Sequence, residues 1–108
     1  MKIMPVVLLR LVQKIKSDKW GALDEIDKKY DAIENKLGYP PKKRYRSIAG
    51  PLNTDTIVIE REFKSMAVLE ELQMKSWGSS EIQKLMQETL NIIEKQWMEI
   101  YIVWPIKV

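Results

Sequence analysis

The chain has 108 residues, 45% of them hydrophobic and 31% charged, which is one domain's worth of ordinary globular polypeptide. It contains no histidine and no cysteine, so Ser-His-Asp and Cys-His catalysis, disulfides, and the preferred ligands of zinc, copper and iron–sulfur centres are all excluded. A net charge of +3 is too small to argue for nucleic acid. No apolar run approaches the roughly 18 residues a membrane span needs. Met1-Lys2-Ile3-Met4-Pro5 lacks the pattern of a signal peptide. The expectation is a cytoplasmic protein with no membrane partner, folded as a single domain over residues 1–108.

Pro5 to Ile15 is apolar and rich in branched residues, and it reads as a central strand. Val7, Leu9, Leu11 and Ile15 share one face. Val6, Leu8, Arg10, Val12 and Lys14 share the other. Ser17-Asp18 offers cap oxygens to a following helix. Along that helix Trp20, Leu23, Ile26, Tyr30, Ile33 and Leu37 form an apolar stripe, with Asp24, Asp27, Lys28, Asp31 and Glu34 on the side expected to face water. Gly38 stands where a left-handed C-cap belongs, and Pro40-Pro41 forbid continuation.

Lys42 to Ala49 reads as a polar edge strand, and Gly50-Pro51-Leu52-Asn53 as a turn. Thr54 to Phe63 is a third strand, with Ile57, Ile59 and Phe63 on one face and Thr56, Val58, Glu60 and Glu62 on the other. Ser65 caps a short helix running to about Lys75, and Trp77-Gly78 interrupts it. Ser80 with Gln83 resembles a capping box for a longer helix, whose buried stripe is Ile82, Leu85, Met86, Leu90 and Ile93. Met98 to Trp104 is the fourth strand: Met98, Ile100, Ile102 and Trp104 face one way, Glu99, Tyr101 and Val103 the other.

The order β-α-β-β-α-β is the ferredoxin-like α+β plan, with a four-stranded antiparallel sheet in spatial order 4-1-3-2 and the helices on one face. The interior between helices and sheet is expected to be close-packed. The opposite face mixes Val6, Leu8, Val12, Val58, Tyr101 and Val103 with Arg10, Glu60, Glu62 and Glu99. A face so apolar calls for a cover, and a second copy of the chain through a two-fold interface is the economical one.

The stretch Gly50-Pro51-Leu52-Asn53-Thr54-Asp55-Thr56-Ile57-Val58-Ile59-Glu60-Arg61-Glu62-Phe63-Lys64-Ser65-Met66, with the first strand and Lys19-Trp20, resembles the dimeric α+β barrel superfamily and in particular its NIPSNAP-like branch. The resemblance implies two ferredoxin-like sheets packed as a homodimer. It does not fix function: the superfamily includes cofactor-independent monooxygenases, haem-degrading enzymes, isomerases and binding modules. A haem-degrading role fits least, because the haem-ligating histidine has no counterpart here.

Arg10, Glu60 and Tyr101 form the best candidate site, on the non-helical face. Arg10 offers a donor fork to a carboxylate, and an enclosed Glu60 would act as a base. Tyr101 would orient a carbonyl. The competing reading is a buried Arg–Glu pair that fixes dimer register. Glu62 shares the face of Glu60; the pair would serve a ligand or a hard cation, but nearby basic residues favour ion pairing, and no metal or cofactor is expected. Lys42, Lys43, Arg44 and Arg46 around Tyr45 suit either RNA or a solvated edge strand, and the acidic third strand favours the latter, so nucleic acid is not expected. Trp20 and Trp97 are expected in the core, and Trp77 either capping the core or at a cavity mouth. The expectation is a homodimeric small-molecule-binding protein with a cavity on the non-helical face for a small aromatic or carboxylated ligand. The rivals are a cofactor-independent monooxygenase or isomerase with Glu60 as base, and a purely structural dimer module.

Overall fold

The computed structural model describes residues 4–106. The elements are β1 (Val7–Ile15), α1 (Trp20–Leu37), β2 (Lys42–Arg46), β3 (Thr56–Phe63), α2 (Met66–Trp77), α3 (Ser80–Leu90) and β4 (Ile93–Ile102). The strands form one antiparallel sheet in the order β2-β3-β1-β4. This is the ferredoxin-like α+β arrangement. Leu23 and Ile26 of α1 pack on Ile15 and Ile57, and Leu69 and Leu72 of α2 pack on Val7 and Phe63. These strand residues alternate along β1 and β3 on a single face, so the helices lie on one side of the sheet.

Local chemistry explains most boundaries. Ser65 and Ser79 each accept the amide of the residue three further on, capping α2 and α3. The cap of α3 is therefore Ser79, not Ser80, and Gln83 reaches back to the Trp77 carbonyl instead. Gly38 ends α1 at φ 88°, where a Cβ would be strained. Ser17-Asp18 does not cap α1; those residues form a turn closed by the Lys19 amide on the Lys16 carbonyl, 3.0 Å.

The largest departure is at the end of α3. The helix stops at Leu90, and β4 begins at Ile93 rather than Met98. Ile93 is thus a strand residue opposite Ile15, at a bulge in the β1–β4 ladder. Trp97, expected in a helix stripe, lies on β4. Met86 and Leu90 are exposed. β4 is nevertheless an edge strand whose Met98, Ile100 and Ile102 stay exposed although they share the helix-side face. The helix layer is centred on β1 and β3 and leaves that edge uncovered. No helix among the described residues is long and apolar enough to cross a membrane.

Candidate functional site

The two core clusters sit toward opposite ends of the sheet. Between them Leu9 and Leu11 on central β1 and Ile59 on β3 are only half-buried, although they face the helices. They border a cavity of about 440 Å³ between the sheet and helices α1 and α3. The close packing expected there is absent: α1 and α3 meet each other but do not close over the middle of β1. Met86 and Leu90, which the sequence pattern places in the core, line this cavity instead. Its volume lies in the roughly 300–1,000 Å³ range of small-molecule sites.

Polar groups line it in three places. Toward β4, Gln13 donates to Gln96 (3.3 Å). Beside α3, Thr89 donates to the Leu85 carbonyl (2.7 Å), so Tyr30 is the donor in its 3.2 Å contact with Thr89. Burial pushes the Tyr30 hydroxyl up. Toward β2, Arg61 makes two hydrogen bonds to Glu34, of 3.0 and 3.1 Å, while Lys42 meets Glu34 at 3.2 Å and Asp31 at 2.8 Å.

These contacts correct the sequence reading of α1. Asp27, Asp31 and Glu34 do not simply face water. They meet the basic side chains of β2, which alternate toward the helix: Lys42 and Arg44 reach the acids, and Arg46 stacks 4.1 Å over Trp20. Asp27 is buried in an ion pair with Arg44. Desolvation raises its carboxyl above the ordinary value, opposed by Arg44 and Lys42. The signal was present: Asp24, Asp27, Asp31 and Glu34 recur at helical spacing, and Lys42, Arg44 and Arg46 at strand spacing.

On the opposite face, Arg10 stands between Glu60 and Glu99 in the register. Its guanidinium lies 3.7 Å from Glu60 and 3.1 Å from Glu99. Tyr101 donates to Glu99 at 2.6 Å and Trp97 does so at 2.7 Å. Glu99 is therefore the hub of this cluster, a role the sequence reading did not give it. Those hydrogen bonds, Tyr101 first, hold the Glu99 carboxyl below its ordinary value, and the same bond raises the Tyr101 hydroxyl. Glu60 keeps about a third of its side chain exposed, and Glu62 is exposed outside the cluster.

A second, more open groove of about 420 Å³ lies here, lined by Arg10, Glu60, Val58, Tyr45 and the loop after β2. Tyr101 does not line it. The groove is a poor anion site, because Arg10 already faces two carboxylates. Val12 and Val58, expected in a dimer contact, are 0% and 4% exposed within the chain itself. Trp97 flanks Val12 in the ladder, and the loop after β2 shares the groove with Val58. Trp77 is 61% exposed and lines neither space.

The sheet order and helix placement define a ferredoxin-like α+β fold. The fold is that of the NIPSNAP proteins. A NIPSNAP-like domain protein from Burkholderia xenovorans superposes with a TM-score of 0.78 at 8% identity, over 97% of this chain and 90% of its own. Two NIPSNAP family proteins from Agrobacterium tumefaciens give 0.74 and 0.72, each at 16% identity, over 96% and 99% of this chain and 96% and 93% of their own. One of these is described as having unknown function. No protein-family model matches the chain, and no curated protein matches it.

Proposed function

We propose that the protein is a homodimeric small-molecule-binding protein of the cytoplasm, one domain per chain, whose ligand occupies the cavity between the helix layer and the sheet. The observation that carries this reading is the half-burial of Leu9, Leu11 and Ile59 at the centre of the sheet. Central residues beneath a helix layer are ordinarily close-packed, and leaving them beside empty space forfeits dispersion contacts. An apolar ligand restores those contacts. The site reads as binding rather than catalysis, because its carboxylates are already engaged: Asp27 by Arg44, and Glu34 by Arg61 and Lys42.

The homodimer rests on the other face. Val6, Tyr101 and Val103 remain exposed there around the Arg10 cluster, and a two-fold partner offers the same mixture in return.

Thermal-shift screening with small apolar compounds tests the cavity. A ligand at about 100 times its Kd adds roughly 2.7 kcal/mol. Leu11→Trp, which fills the space, should abolish the shift, and Arg10→Ala should leave it intact. The reverse pattern would move the site to the groove beside Glu60.

A further inference from the structure

Position 13 breaks the helix-facing stripe of β1. Val7, Leu9, Leu11 and Ile15 are apolar, and between the last two stands Gln13, on a central strand and 6% exposed. A leucine there would need no polar partner, whereas a buried amide is costly unless it is hydrogen-bonded. Gln13 has one such bond among the described residues: its Nε2 donates to Gln96 Oε1 across the β1–β4 ladder, at a long 3.3 Å. An amide offers two N–H donors and a carbonyl with two lone pairs. The Gln13 carbonyl and the Gln96 N–H groups are therefore unspent. They are also open. The described side-chain atoms that are both buried and unpartnered belong to Arg10, Asp27 and Arg61, and the Gln13 carbonyl is not among them. Gln13 and Gln96 both line the cavity between the sheet and helices α1 and α3, and neither lines the groove on the other face. The space that a residue so buried opens onto is thus the cavity. Gln96, exposed on the edge strand, stands at its rim. Turning both amide planes over exchanges which residue supplies the acceptor and which the donor, and leaves the same complement.

We propose that the ligand of this cavity is a neutral, largely apolar molecule with a lactam or cis-amide edge, whose N–H and C=O are met by the Gln13–Gln96 pair. The inference rests on the binding reading above and narrows its ligand class. An amide edge presents one donor and one acceptor side by side, which is what the two glutamines leave open. A ketone has no donor for the free carbonyl, and an ammonium has no acceptor for the free N–H groups. A carboxylate would set its charge against a carbonyl, and the cations that line the cavity, Lys42 and Arg61, are already paired with Asp31 and Glu34. The walls at Leu11, Leu23 and Ile92 suit an apolar body.

A matched series tests this: oxindole, N-methyloxindole, the isosteric indanone, indane and phenylacetate, titrated into the full chain at neutral pH and followed by NMR. Oxindole carries both functions, N-methyloxindole and indanone only the carbonyl, and indane neither. Oxindole should bind about tenfold more tightly than either carbonyl-only analogue, as one buried hydrogen bond implies, and more tightly than phenylacetate. At saturation, oxindole should move the side-chain amide resonances of Gln13 and Gln96 further than indane does. Gln13→Leu, which completes the apolar stripe, should hold indane at least as well as wild type and lose the preference for oxindole. The wild-type series decides the matter even where that variant does not fold. Oxindole binding no more tightly than the carbonyl-only analogues would overturn the amide assignment and leave the cavity reading standing. A preference for oxindole that survives Gln13→Leu would place its partner elsewhere and overturn the assignment too. Tightest binding by phenylacetate would overturn the neutral class. Binding by none of the series would remove the cavity reading as well.

Discussion

Arg61 on β3 and Glu34 on α1, 27 residues apart, are joined by two parallel hydrogen bonds of 3.0 and 3.1 Å. The pair pins the C-terminal half of α1 to the sheet at the edge of the cavity. Lys42 shares the same carboxylate at 3.2 Å, so Glu34 answers for two cations whose side chains are 10% and 11% exposed. Such a carboxylate is more consequential than Lys42, because its loss strands Arg61 and leaves Lys42 with Asp31 alone.

Glu34→Ala should therefore destabilise the protein by about 3–5 kcal/mol, the cost of leaving buried charge uncompensated. Lys42→Met should cost much less, since Glu34 retains Arg61. Urea denaturation of the two variants against wild type measures the difference. Equal losses would show that Glu34 matters only through its packing.

Asp27 gives a pH signature. Burial raises its carboxyl above the usual 3.8, so the folded protein holds that proton more readily than the unfolded chain does. Its ionisation opposes folding at neutral pH. That cost is relieved as pH falls through the raised folded value toward 3.8. Asp27→Asn cannot titrate. The stability of wild type relative to Asp27→Asn should then improve on acidification through this window, as followed by denaturant midpoints at a series of pH values. A relative loss on acidification would mean that Arg44 outweighs burial.

Glu99 behaves with the opposite sign. Its carboxyl is held low by Tyr101, Trp97 and Arg10, so what it contributes is present above the ordinary carboxylate value and fades as pH falls through its lowered one. The cleaner readout is its partner. Glu99→Gln should bring the Tyr101 hydroxyl back down toward the ordinary tyrosine range, because the hydrogen bond that raises it loses its charged acceptor. Ring resonances followed through an alkaline titration report this residue by residue, and the raised Tyr30 and Tyr39 should not move with it.

The proposed dimer is tested at Val103, exposed on the Arg10 face. Val103→Asp should yield folded monomers by light scattering, because it places an unpaired charge in the contact. Val58→Asp is the wrong probe: Val58 is buried within the chain and its loss would unfold the protomer. Wild type that scatters as a monomer at micromolar concentration would sink the dimer.

The sequence by itself determined the order of the elements, the sheet order β2-β3-β1-β4, the helix stop at Gly38, and the meeting of Arg10 with Glu60. These follow from period-2 and period-3.6 patterning, from turn residues, and from the handedness of crossovers, all of which are local or topological. The acid stripe of α1 and the basic alternation of β2 were both legible, but not that they face each other; that needed the packing of α1 over the β2 edge. The cavity was invisible for a deeper reason. Leu9, Leu11 and Ile59 carry the same pattern as any filled core, because apolar periodicity says only which face turns from water. Whether atoms stand opposite that face depends on how far α1 and α3 reach across the sheet, and that distance is set by contacts between residues remote in sequence. Only the tertiary structure decided it.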